Sequence, residues 1–270
     1  MRKSALLLLA SLLSSPVLTA QADAVADAAA SEHRSAKAKL RDEYRHPQQT
    51  LRFFDVQPTM TVVEISPGGG WYTDILAPLL KEDGKLVAAH FFVDADSPGY
   101  YQRSLAAFKD KMANHAPYSN IELTAFHPVK ALTVAEAGSA DRVLTFRNVH
   151  NWYMAAKDDG VLNAMTAFYN ALKPGGMLGV VDHRLPETAS DDTMESSGYM
   201  KQSYVIKMAE KAGFKLAASS EVNANPLDTA AHPRGVWTLP PSLRLGEENQ
   251  AHYLAIGESD RMTLKFVKPD

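Results

Sequence analysis

Two histidines and an aspartate stand in short polar runs, each of which follows a run of apolar residues. The runs are Arg147-Asn148-Val149-His150-Asn151-Trp152 and Asp182-His183-Arg184. Imidazole titrates near neutral pH, so either ring can take a proton from a bound molecule. His150 is the leading base, with Asp182 or His183 orienting it. Arg147, Asn151, Trp152 and Arg184 offer donors and an aromatic surface to a small polar ligand. A third run, Glu258-Ser259-Asp260-Arg261, adds charge, and Asp260 and Arg261 are candidates for the same ligand. The same residue types would equally serve an internal ion-pair network in which Asp182, Arg184, Asp260 and Arg261 tie loops together. The spacing of His150, Asp182 and His183 matches no metal-ligand signature, and no metal is expected.

A second constellation lies upstream, at Glu64-Ile65-Ser66-Pro67-Gly68-Gly69-Gly70-Trp71-Tyr72-Thr73. Glycines between a strand and a helix permit positive φ and let a ligand approach the backbone. The helix that follows presents unpaired N–H groups. A dinucleotide fingerprint is not met: Thr73 stands where its third glycine belongs, and the second strand ends at His90 instead of a carboxylate. The Gly-Lys-Ser/Thr of a phosphate-binding loop is absent. A plain tight turn is the alternative reading.

The elements that must position these groups alternate in type. Continuous apolar runs at 61–65, 85–89 and 177–181, with 142–146 alongside, predict strands buried on both faces. Short strands are also expected at 121–126, 214–219 and 261–267. Helices are expected at 72–81, 101–112, 161–172 and 202–212, with Pro78 a defect in the first. Lys173-Pro174-Gly175-Gly176 is a strong stop before the strand at 177. The expected fold class is α/β: a Rossmann-like, mainly parallel seven-stranded sheet with helices on both faces and the last strand antiparallel. Residues 223–258 carry four prolines and little periodicity, and read as a long loop or lid. Residues 23–47 have a helix-favouring composition and read as an exposed helical extension or a frayed linker.

The order of these blocks resembles class I S-adenosylmethionine-dependent methyltransferases. Those enzymes carry an acidic residue closing strand one, a glycine loop, an Asp-x-Val strand four and Lys-Pro-Gly-Gly before strand five. Here these are Glu64, Gly68 to Thr73, Asp141-Arg142-Val143 and Lys173 to Gly176. More narrowly, the chain is similar to a family of exported methyltransferases, through residues 67–73, 146–152, 181–184 and 257–261. The resemblance covers about residues 45–268 and implies a methyltransferase-like domain over 48–270 with S-adenosylmethionine as cofactor. It implies that Glu64, Gly68, Gly69, Gly70, Thr73, His90 and Asn148 bind the cofactor. In an open sheet of this kind ligands bind outside the carboxyl ends of the strands, and there Tyr72, with Arg147, Asn151, Trp152, Arg184, Asp260 and Arg261, is expected to face the acceptor. Two departures stand out: Ser66-Pro67 replaces the first glycine, and His90 replaces the carboxylate that grips the ribose.

Composition bounds the setting. The 270 residues carry a formal net charge of −3 and no cysteine, which excludes disulfides and thiolate chemistry and argues against a nucleic-acid partner. Arg2 and Lys3, the apolar run from Ala5 to Leu13, Pro16 and the small residues at 20–24 form the pattern of a signal peptide over residues 1–22. An exported location is expected, without stable membrane insertion. Export sits awkwardly with a cofactor made in the cytosol, so three functions stay open. They are a small-molecule methyltransferase, a non-catalytic ligand-binding protein on that fold, and a lyase or hydrolase using His150, Asp182 and His183. No residue pattern sets an oligomeric state.

Overall fold

The computed structural model describes residues 23–270; the leader expected at 1–22 lies outside them. Four short helices come first: α1 (Ala24–Ala30), α2 (Ala36–Lys39), α3 (Asp42–Arg45) and α4 (Pro47–Phe53). Then follow β1 (Thr61–Ile65), α5 (Thr73–Leu80), β2 (Lys85–Phe91), α6 (Gly99–Asn114), β3 (Glu122–Phe126) and β4 (Ala140–Phe146). The second half holds α7 (Val149–Ala171), β5 (Leu172–Leu185), β6 (Met200–Lys201), α8 (Gln202–Lys211) and β7 (Lys215–Ser220). It closes with β8 (Pro233–Val236), α9 (Gln250–Ile256) and β9 (Arg261–Val267).

Seven strands lie in the order β3-β2-β1-β4-β5-β9-β7, with the two-residue β6 paired to β5. The first five of these run parallel, and β9 is antiparallel to both β5 and β7. This is the expected α/β sheet, with its last strand inserted in the opposite sense.

Alternation along each strand explains why the strands read as continuously apolar. Val63, Val87, Val143 and Val180 pack against Val161, Met165 and Phe168 of α7 and Val205 and Met208 of α8. Val62, Leu86, Ala88 and Leu144 face the other way, onto Ile75, Leu76 and Leu80 of α5, Phe108 of α6 and Leu51 of α4. Each such fully buried aliphatic side chain contributes about 1.5–3 kcal/mol, so both faces are firmly held. Among the described residues no helix is long and apolar enough to cross a membrane.

Three expectations change. Residues 23–47 are not a frayed linker but short helices docked on one side: Val25, Ala28 and Ala29 of α1 are buried in the same cluster as α5, Arg34 and Arg45 are buried too, and α2 buries no residue. Helix α7 begins at Val149, earlier than its periodicity suggested, because non-helical angles at Ala156 and Lys157 kink it and break the pattern. The 223–258 segment is not featureless, since it carries β8 and α9. Pro78 lies inside α5 without ending it.

Candidate active site

The carboxyl ends of β1, β2 and β4 open onto a cavity of about 680 Å³, where ligands bind in open parallel sheets. Its floor is Glu64, Ile65 and the Ser66-Pro67-Gly68-Gly69 turn, and Arg147 and Asn148 form one side. A Cβ placed on Gly68 or Gly69 would meet no atom within 4 Å, so open space lies beside that backbone. Its roof is the N-terminal segment, through Ser35, Lys37, Ala38, Arg41 and Arg45. Trp71 pins that roof: its indole N–H donates to the Ala38 carbonyl at 3.1 Å, and the Arg34 and Arg45 guanidiniums stack on its ring.

The β1 carboxylate is held from beneath. Glu64 has the same strand parity as Val62, so it points toward α5, where its Oε2 accepts from the Thr73 hydroxyl at 2.6 Å. Burial raises its pKa to about 7, against the smaller lowering effect of that hydrogen bond. Gly70, at φ +78°, lies under the turn; a Cβ there would come within 2.8 Å of the Tyr118 hydroxyl oxygen. Tyr72 stacks on Phe146 at 3.6 Å and donates to the Arg45 carbonyl. Asn148 spends its amide N–H on the Ile65 carbonyl and the Thr145 hydroxyl, leaving only its oxygen for a ligand. Two non-glycine residues on the rim adopt left-handed backbone, Ser66 at φ +48° and Arg147 at φ +63°. Such conformations persist where the surroundings dictate them, often at functional sites.

His90 does not reach the cavity, which corrects its assignment as a ligand group. It is fully buried, with Nε2 at 3.1 Å from the Gly68 carbonyl and Nδ1 accepting the Phe91 N–H. It braces the glycine turn from below, and Phe91 instead meets the ligand space. Thr73 and Gly70 likewise support the turn without lining the cavity. Neither Trp71 nor His90 fills the space above it.

A second cavity of about 320 Å³ adjoins the first across Arg41, Arg45 and Arg147, which line both. His150, Asn151, His183, Trp237, Glu258, Ser259 and Arg261 complete its walls, with Pro240, Pro241 and Ser242 from the long 223–258 segment. His150 and Asp182 form a buried dyad. Asp182 accepts the backbone N–H of His150 at 3.1 Å and of His183 at 2.9 Å, and His150 Nδ1 lies 3.0 Å from it. That engagement leaves His150 Nε2 as the ring nitrogen available to the cavity. His183 Nδ1 is paired with the Ser259 hydroxyl at 2.5 Å. Burial, then His150 and the surrounding arginines, holds the His183 pKa well below its ordinary value, so this ring is neutral. The donor atoms of His150, Asp182 and His183 lie within 4.8 Å of one another. The three N–H groups already on Asp182 make it an orienting carboxylate.

Replacing Asp182 with Asn should therefore move the His150 proton from Nδ1 to Nε2 and remove the acceptor that faces the cavity. The nitrogen chemical shifts of the ring, compared between wild type and D182N, check this.

Three predicted ligand residues are placed elsewhere. Trp152 is buried in the core against Phe126 and Phe168. Arg184 makes a two-pronged pair with Asp260 and a further bond to Glu221. Asp260 also accepts the Asn225 N–H. Arg184 and Asp260 thus form the loop-tying network, whereas Arg261 lines the smaller cavity. The unanticipated site residues are Arg41 and Arg45. Both bind Glu258, Arg41 at 2.6 Å and Arg45 at 3.0 Å, and Arg261 clasps the same carboxylate.

No protein-family profile matches the chain, and no curated protein matches it in sequence. Solved structures do match. A SAM-dependent methyltransferase from Aquifex aeolicus superposes with a TM-score of 0.55 at 16% identity, over 86% of this chain and 97% of that one. The [4+2]-cyclase SpnF gives 0.56 at 14% identity, over 88% and 85%. The mitomycin 7-O-methyltransferase MmcR gives 0.50 at 13% identity, over 87% and 59%. At these identities the likeness establishes the fold: the chain has the class I methyltransferase fold.

Proposed function

We propose that this chain binds S-adenosylmethionine in the larger cavity and transfers its methyl group to a small molecule seated in the smaller one. The observation that carries this is the open space beside Gly68 and Gly69, at the strand ends and next to Glu64. The residues present fit the cofactor. Glu64 and Asp74 offer carboxylates to its ammonium group, and Arg41, Arg45 and Lys37 offer cations to its carboxylate. Phe91 and Phe146 offer apolar surface to the base. The bound sulfonium would supply an electrophilic methyl group for an in-line displacement. The chain's own part is to align the two cavities and to take the acceptor's proton on His150 Nε2, with Asp182 stabilising the imidazolium that results. Export is part of the proposal, supported by the leader pattern at 1–22.

One observation favours a second reading. His90 lies beneath the turn, so β2 offers no carboxylate at the ribose position, as a non-catalytic binding protein could tolerate. The cyclase among the similar structures also cautions against reading the reaction from the fold. Calorimetric titration with S-adenosylmethionine and S-adenosylhomocysteine decides the binding step. Both should bind, and absence of heat from either at millimolar concentration would remove the proposal. Binding carries a second signature. A glutamic acid with a pKa near 7 is about half protonated at pH 7 and ionises when a cation docks beside it. Repeating the titration in buffers of different ionisation enthalpy should show net proton release, greater at pH 6 than at pH 8, and abolished in E64Q.

A further inference from the structure

The smaller cavity holds more positive charge than its own carboxylate matches. Arg41, Arg45, Arg147 and Arg261 all line it, and Glu258 is the one acidic residue among its walls. Glu258 is engaged by Arg41, Arg45 and Arg261. Arg45 and Arg261 are nevertheless left with buried nitrogens, Nη1 and Nε, that have no hydrogen-bond partner. The two side chains are among the most buried charges in the molecule, at 3% and 2% exposure. The guanidinium of Arg147 has neither an acidic partner nor a hydrogen bond among the described residues, and its backbone is held at φ +63°. Burying cations without partners is costly, and a matching anion recovers that cost. A guanidinium fork suits the paired oxygens of a carboxylate or phosphate.

We propose that this cavity is an oxyanion seat, in which Arg147, Arg45 and Arg261 hold a carboxylate or phosphate group of the methyl acceptor. The acceptor's body then lies beside Trp237 and His150, whose rings pack edge-on with centroids 6.2 Å apart, and its nucleophile faces His150 Nε2. The assignment of the anion to the acceptor rests on the reading of the larger cavity as the donor's. Arg41, Arg45 and Arg147 face both cavities, so the donor's carboxylate can match one of them. Arg261 faces the smaller cavity alone, and positive charge remains there after that match. Burial, with Arg261 next, lowers the Arg147 pKa to about 10, as expected of a cation among cations.

The test uses inorganic phosphate and acetate as probes, with chloride at matched ionic strength as the control. Melting temperature and calorimetry should show saturable binding of at least one probe in the millimolar range. The better probe names the source: phosphate for a phosphorylated acceptor, acetate for a carboxylic acid. In R147Q the affinity for that probe should fall at least tenfold, and in R261Q, at the arginine that lines the smaller cavity alone, it should fall likewise while S-adenosylhomocysteine binding changes less than threefold. E258Q removes the competing carboxylate, so the probe should raise its melting temperature by more than it does in wild type. No saturable binding in wild type, or equal binding in R147Q, overturns the proposal. So does a probe that competes with S-adenosylhomocysteine while R261Q weakens both alike, because the arginines then serve the donor. If S-adenosylhomocysteine fails to bind but the probe still binds and R147Q loses it, the oxyanion seat stands and the methyl-donor reading falls.

Discussion

Replacing Glu258 with Gln is expected to lower the melting temperature by roughly 10 °C. The substitution leaves Arg41, Arg45, Arg147 and Arg261 around one cavity with no carboxylate between them. Breaking a buried ion pair by removing one partner costs about 3–5 kcal/mol, and a domain of this size loses about 2–4 °C per kcal/mol. The pH dependence carries a sign that can be worked out. Burial alone would raise the Glu258 pKa, but Arg261, Arg45, Arg147 and Arg41 outweigh it and hold the group at about 2, below its ordinary 4.5. A carboxyl depressed in the folded state contributes stability that is fully present above pH 4.5 and is lost as pH falls toward 2. Wild type should therefore show a steep loss of stability across that window, and E258Q a shallower one. Thermal melts at half-unit steps from pH 7 to the onset of acid unfolding measure both. A melting temperature within 2 °C of wild type at neutral pH would mean that the arginines do not depend on this carboxylate.

Gly69→Trp is expected to reduce S-adenosylhomocysteine binding by more than a hundredfold while leaving the fold intact. Gly69 lines the larger cavity, and a Cβ added there meets no protein atom within 4 Å. Its φ is not among the positive ones, so a side chain adds no backbone strain. An indole at this position competes with a ligand for the space beside the turn. Gly70 makes the contrasting control. Its φ is +78°, and a Cβ there would stand 2.8 Å from the Tyr118 hydroxyl. Substitution at Gly70 therefore disturbs the turn itself, lowering stability together with binding. Calorimetry and thermal melts on both variants separate occlusion from unfolding. Equal ligand affinity in G69W and wild type would place the ligand elsewhere.

Much of the scaffold was legible because strand burial writes itself into local composition. Val62 and Val63 serve opposite faces, so 61–65 reads as a solid apolar run, and the same holds at 177–181. The turn at 66–70 was legible because Gly68 and Gly70 need positive φ at a strand-to-helix junction. The site was harder. His90 was correctly placed at a strand end, but its direction depends on parity, and a strand apolar on both faces hides parity. His90 shares the face of Leu86 and Ala88, beneath the turn. Trp152 read as a pocket residue because it adjoins a polar run. Helical spacing from Val149 turns it into the core instead, and the kink at 156–157 masked that spacing. Arg41 and Arg45 gave no local sign at all, since their partner Glu258 stands more than 200 positions away.

That separation has a consequence for how the molecule comes into being. Helices α2 and α3 and strand β9 are clasped through Glu258 and through Arg261 on the Tyr44 carbonyl, so stretches made more than 200 residues apart must meet before either chamber has walls. Contacts this distant along a chain form late and slowly. A polypeptide emerging from the ribosome would thus have no closed chamber until the residues around Glu258 and Arg261 have been made.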